Sequence, residues 1–268
     1  MILWGNVLSV LIMIFIFGYS LKRYPLKFSI QQVVLVAMLL AVGVILGSYA
    51  KISLPLFGPE SFEIKFDTIP VMITGIVLGP TWGIIIGIVM DWIQLILYPT
   101  GFPFLGFTLN LALTGFFAGV IFSSHENPKR FIQWSLACIA GIALWLLVTV
   151  AMTNVFSRNF MLPNSYRWAI GLVMALVLFA SLYGYIHIHK RDLEGAVDRF
   201  MAKWSYLVIL CEITIQLGLT SLWLFILFQI PWPFLLIPRL IEVIPMVLIF
   251  MVMGRYLFPL IKRFSKEV

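Results

Sequence analysis

Apolar runs of membrane-spanning length recur from Ile2 to Leu257, and this repetition narrows the possible folds more than any motif does. A helix needs about 20 predominantly apolar residues to cross a hydrocarbon core about 30 Å thick. Charged residues make up 11% of the chain and hydrophobic residues 62%, whereas a soluble domain carries about 25% charged residues. The mean hydropathy is +1.06. The sequence therefore predicts an all-α, polytopic membrane protein. The first run has no leading basic segment, and Lys22, Arg23 and Lys27 follow it, so Ile2–Tyr19 reads as a retained membrane helix rather than a cleaved signal.

Nine spans fit the hydropathy: Ile2–Tyr19, Gln31–Ala50, Asp67–Gly79, Trp82–Tyr98, Phe107–Phe122, Phe131–Val155, Trp168–Ile188, Trp204–Phe228 and Pro238–Leu257. The third and fourth form a short hairpin bent at Gly79-Pro80, with a partly re-entrant course as the alternative to two full spans. The 187–203 loop reads as a solvated, mixed-charge connector, with a short surface helix as the alternative. The net charge of +7 is spread over helix ends, which points to membrane orientation rather than to nucleic acid. Placing LKRYPLK in the cytoplasm puts thirteen basic residues on that side and five on the other (Lys51, Lys65, Arg158, Arg167 and Arg239). That bias predicts a cytoplasmic C-terminus. Cys138 and Cys211 lie in apolar runs without CxxC spacing and read as packed core thiols.

The stretch from Asp67 to Phe122 departs from the simple pattern. Its apolar runs are cut by glycine and proline, and Ile69–Leu78 is too short alone to span. In transporters such interrupted segments point to the substrate site. Gly75, Gly79, Gly83 and Gly87 recur every fourth residue, and Gly115 and Gly119 repeat the spacing. Small residues so spaced let helix backbones approach closely, so these glycines read as packing devices. Ala37 and Ala41 form a weaker pair of the same kind.

Ionisable residues within the apolar runs carry more chemical information, because burying charge in a bilayer costs at least ~2.5–3.5 kcal/mol on insertion scales. Asp91, Glu212 and Glu242 are such residues, and Arg239 enters the last span near its outer end. Asp91 is expected to line a polar cavity, with an interhelical hydrogen bond as the plainer reading. Arg239 and Glu242 are spaced i, i+3 and can pair, which leaves Arg239 open to either a structural or a ligand role. Aromatic residues gather at the outer ends, among them Phe62, Phe66, Trp92, Tyr98, Phe102, Phe104, Trp223, Trp232 and Phe234. An interfacial belt explains most of them, and stacking faces for a flat heteroaromatic ligand are the alternative. The sequence contains no GxxxxGK[ST], HExxH or GxSxG, and His125, His187 and His189 fall in loops. A P-loop ATPase, zinc chemistry and intramembrane hydrolysis therefore lack support. No enzyme activity, cofactor or metal is expected.

The run IPVMITGIVLGPTWGIIIGIVMDWIQLILYPTGFPFLGFTLNLALTGFFAG resembles the substrate-binding (S) components of energy-coupling factor (ECF) vitamin transporters, and most closely their folate-type branch. The shared pattern is IPxxxxGxxxGPxxGxxxGxxxD, followed by P-x-G and GFTL, over about 55 residues. Ala37-Met-Leu-Leu-Ala41 fits the family's AxxxA motif, and LTSLWLFILFQIPWPFLLIPRLIEVIPM resembles its last two helices. The resemblance implies a six-helix core with three added spans. Residues 1–30 would hold an extra N-terminal helix and residues 31–122 core helices one to four. Residues 123–203 would hold two inserted spans and a cytoplasmic loop, and residues 204–268 the last two core helices and a basic tail.

Such a component captures one vitamin in an outward cavity gated by the loop 51–66. It delivers the vitamin inward with a transmembrane coupling (T) subunit and two ATPase subunits. On this resemblance Asp91, Tyr98, Phe104, Thr108, Asn110, Trp223 and Arg239 are expected to line the cavity, with Arg239 able to pair with a ligand carboxylate. Ala37 and Ala41 are expected to face the coupling protein. Pantothenate, pyridoxine or another vitamin could replace folate. A stand-alone proton-coupled transporter using Asp91 or Glu212 is the competing reading.

Overall fold

A computed structural model describes residues 2–26, 28–50, 52–54, 62–98, 103–123, 195–228 and 232–267, together with positions 136, 140, 172 and 175. The inserted spans expected at 131–155 and 168–188 lie outside the described residues, apart from those four positions.

Among the described residues the architecture is helical, with one small strand pair. Helices α1 (Ile2–Arg23) and α2 (Ile30–Tyr49) are followed by strands β1 (Ile52–Leu54) and β2 (Phe62–Ile64). Then come α3 (Thr68–Leu78), α4 (Pro80–Leu97) and α5 (Leu105–Ser123). A continuous helical stretch from Ala196 to Phe228 consists of α6 (Ala196–Cys211), a π-helical segment (Glu212–Thr220) and α7 (Ser221–Phe228). Helix α8 (Trp232–Glu267) completes the described chain. Six helices among the described residues are long and apolar enough to cross a membrane, and α3 is a shorter apolar helix. At 1.5 Å per residue, α3 extends only about 16 Å.

Two boundaries differ from the sequence expectation. The connector expected at 187–203 becomes helical at Ala196, and the last helix runs from Trp232 to Glu267 instead of Pro238 to Leu257. Hydropathy sees only the apolar part of a helix. Backbone hydrogen bonding continues through amphipathic and charged turns once a neighbour packs against them. Pro233 sits in the first turn of α8, where the missing N–H is unneeded, and Pro245 and Pro259 lie within the helix, as membrane helices tolerate. The antiparallel β1–β2 ribbon pairs Ile52 with Ile64 and Leu54 with Phe62. It falls in the 51–66 connection, which was expected to be a loop.

Five of the six glycines of the central stretch pack as their spacing predicts, and the exception is Gly79, where a Cβ would meet nothing within 4 Å. A Cβ at Gly83 would strike the backbone of Gly115, one at Gly87 would strike Leu111, and one at Gly75 would strike the carbonyl of Gly115. These contacts draw α3, α4 and α5 together, nearly backbone to backbone. Gly79 joins α3 to α4 at φ 95°, a conformation in the left-handed region that costs other residues energy. Pro80 then opens α4 at a position that needs no N–H donor.

Helix α2 buries Leu35, Leu39, Gly43 and Gly47, one residue per turn. Gly43 lies against Met90, and Gly47 against Gln94 and Asp67. Ala37 and Ala41 fall on its opposite, exposed face with Val34, Met38 and Val42. Helix α1 packs on α5, α4 and α7, so it leaves the alanine face of α2 uncovered. Farther along the bundle, Trp204 is fully buried and donates from Nε1 to the Phe250 carbonyl at 2.7 Å, tying α6 to α8.

Candidate ligand cavity

Seven helix ends meet around one cavity of about 950 Å³. They are the starts of α1, α3, α5 and α8 and the ends of α2, α4 and α7, represented by Asn6, Thr68, Thr108, Arg239, Ser48, Tyr98 and Phe228. The opposite ends of α1, α6 and α8 carry Lys22, Arg23, Arg199, Lys203, Lys262 and Arg263. The cavity thus opens away from the most basic end of the bundle.

The end of α4 forms one wall. Asp91, Gln94, Leu95 and Tyr98 all line the cavity, because spacings of three, four and seven residues place side chains on one helical face. The start of α5 forms the facing wall through Phe107, Thr108, Asn110, Leu111 and Thr114. Thr108 Oγ1 donates to Asp91 Oδ2 at 2.5 Å, a charge-assisted bond across the two walls. Near the mouth, Gln94 Nε2 donates to Asp67 Oδ2 at 3.1 Å, fastening the end of α4 to the start of α3. Lys65 also lines this rim.

Asn110 joins α5 to the helical stretch beyond it. Its Oδ1 accepts from Trp223 Nε1 at 3.0 Å, and its Nδ2 donates to Thr220 Oγ1 at 3.0 Å. Thr220 Oγ1 in turn donates to the carbonyl of Ile215, five residues back, at 3.0 Å. The wider π-helical turn shifts the side-chain register between α6 and α7, and Ile215, Gln216 and Thr220 all line the cavity. Trp223 is fully buried and stands behind the wall, edge-on to Phe104 with ring centroids 5.5 Å apart. Phe104 itself lines the cavity.

Arg239 also lines the cavity, 5% exposed, and its Nη1 donates to Glu242 Oε2 at 2.8 Å. Both readings of Arg239 therefore have a geometric basis, since it forms a buried ion pair and also faces the cavity. Asp91 likewise combines a cavity-facing position with an interhelical hydrogen bond. Glu212 is buried at the start of the π-helical segment and does not line the cavity.

Of the seven residues expected at the site, six line this cavity: Asp91, Tyr98, Phe104, Thr108, Asn110 and Arg239. The seventh, Trp223, supports the wall through Asn110 and Phe104. Sequence reading missed Asn6, Lys65, Asp67, Gln94, Gln216 and Thr220. Gln94 was accessible from its spacing to Asp91 and Tyr98. Gln216 and Thr220 were not, because an ordinary helical period does not apply across a π-helical segment.

Residues 31–264 match the sequence model described as "ECF transporter, substrate-specific component". The chain belongs to this family. It is accordingly a membrane protein of a family of transporter components rather than of enzymes. Helix α1 precedes the matched region. A solved crystal structure of FolT bound with folic acid aligns with 63% of this chain and 97% of its own, at 25% identity and a TM-score of 0.37. No curated protein matches the chain.

Proposed function

We propose that this S component captures a vitamin from outside the cell and delivers it inward through an ATP-driven ECF transporter, folate-like vitamins being the favoured class. The carrying observation is the cavity itself, which combines apolar and aromatic walls with a few fixed polar groups at Asp91–Thr108, Asn110 and Arg239. That combination suits a flat ring system with polar edges and an acidic group. Asp91 and Asn110 would orient the ring edge, Tyr98 and Phe104 would flank it, and Trp223 would hold the wall. Arg239 would meet a carboxylate while keeping its bond to Glu242.

The motifs of residues 69–119 favour the folate-type branch, and pantothenate, pyridoxine and related vitamins are the runners-up. The cytoplasmic C-terminus and the outward cavity follow from the positive-inside bias. In the proposed division of the chain, α2, α3, α4, α5, the α6–α7 stretch and α8 form the core. Residues 1–30 and 123–203 are additions to it. The 51–66 connection serves as the gate, and Ala37 and Ala41 meet the T subunit, which works with two ATPase subunits.

A thermal-shift and calorimetry panel of folate, pantothenate, pyridoxine, thiamine and riboflavin on the purified protein tests the reading. One vitamin should bind with submicromolar affinity, and its uptake into vesicles should require the T and ATPase subunits. Uptake by this chain alone, abolished by a proton uncoupler, would overturn the ATP-driven reading.

A further inference from the structure

Helix α1 lies outside the family-matched residues, yet its first turns form part of the cavity wall. Ile2 and Asn6, one turn apart, both line the cavity. Asn6 Oδ1 accepts from the backbone N–H of Leu105 at 3.0 Å. Leu105 is the first residue of α5, and the first N–H groups of a helix have no partner within it. Asn6 therefore caps α5 from another helix, immediately before the turn that supplies Phe107 and Thr108 to the site.

Packing reinforces this contact. A Cβ at Gly5 would lie 3.0 Å from the Phe104 ring and 3.4 Å from Ile226, so a side chain there would press on the aromatic wall. At the other end of α1, Ser20 and Thr81 hydroxyls lie 2.8 Å apart, and Thr81 Oγ1 donates to the Tyr24 carbonyl at 2.7 Å. The helix is thus fastened to the bundle at both ends. Because the Leu105 N–H can only donate, it fixes the Asn6 amide with its oxygen toward α5. The Nδ2 amine is then the group this side chain can offer to an acceptor in the cavity.

We propose that α1 is a permanent wall of the ligand cavity and that Asn6 is a positioning and specificity residue within it. It sets the start of α5 and donates from Nδ2 to an acceptor oxygen or ring nitrogen of the ligand. This inference rests on the vitamin-binding reading, deepens it, and assigns the additional helix a task.

Two binding variants and a labelling measurement test it. Asn6→Ala removes both bonds and should weaken binding of the vitamin found in the panel roughly tenfold, with a lowered melting temperature. Asn6→Asp keeps an acceptor for Leu105 and loses the donor, so it should recover the melting temperature while binding stays weak. Wild-type affinity in Asn6→Ala, or recovery of affinity in Asn6→Asp, would overturn the proposed role. The ligand-independent arm uses Asn6→Cys in a Cys138→Ser, Cys211→Ser background, with Leu11→Cys on the lipid-facing side of α1 as control. A water-soluble maleimide should label position 6 faster than position 11. Equal or slower labelling at position 6 would remove α1 from the cavity wall even if no vitamin in the panel binds.

Discussion

Arg239 forms a buried ion pair with Glu242 and also lines the cavity. Their side chains bond at 2.8 Å, with the two residues only 5% and 2% exposed. Replacing Arg239 by alanine would break this buried pair, which typically costs about 3–5 kcal/mol. The expected outcome is a large drop in melting temperature for Arg239→Ala and substantial recovery in the double variant Arg239→Gln, Glu242→Gln. If Arg239 also meets the vitamin carboxylate, the double variant should be stable and still bind it more weakly by ~1–3 kcal/mol. Calorimetry on both proteins separates the two effects, and full affinity in the stable double variant would leave Arg239 a purely structural role. The i, i+3 spacing made this pair legible in the sequence. Asn110 was legible as a candidate, but its bonds to Trp223 and Thr220 bridge more than a hundred residues of chain, beyond the reach of any local period.

The helices owe their arrangement to where side chains are absent. Gly83 and Gly115 meet through their backbones at the α4–α5 contact, and in lipid such packing replaces the hydrophobic drive that water supplies. Gly83→Leu should therefore separate α4 from α5, lowering both thermal stability and vitamin binding, since the Asp91–Thr108 bond crosses this contact. Gly18 in α1 is the matching control: a Cβ there meets nothing within 4 Å. Gly18→Ala should leave binding intact and raise stability by up to about 1 kcal/mol through helix propensity. Comparable loss in both variants, measured by thermal unfolding in detergent, would contradict the packing account. The four-residue glycine rhythm announced these contacts. The lengths of α6 and α8 were less visible, because their charged and amphipathic turns carry no hydropathy signal.

Across the molecule, the surfaces proposed for binding and for coupling are separate. The cavity lies among helix ends, whereas Ala37 and Ala41 sit on the exposed side of α2 that α1 does not cover. Enlarging them with Ala37→Leu and Ala41→Leu should preserve vitamin affinity and reduce uptake by the assembled transporter severalfold or more, if small residues there admit the helices of a T subunit. Equal affinity with undiminished uptake would exclude this face from coupling. The competing proton-coupled mechanism predicts instead that Asp91→Asn abolishes uptake in vesicles lacking the other subunits.

Local sequence is enough to establish a polytopic helical membrane protein, to locate most of its tight helix contacts, and to pick out the stretch that resembles a vitamin-binding S component. Those properties are written in local composition and short periods, since a spanning helix must match the bilayer and each close contact requires a small residue at a fixed spacing. It takes the packed bundle to bring Asn6, Asp67, Gln94, Gln216 and Thr220 together with Asp91, Thr108, Asn110 and Arg239 around one cavity. Convergence of seven helix ends depends on how the helices cross, and the π-helical turn resets which side chains face inward. Neither can be read from a repeat along the chain.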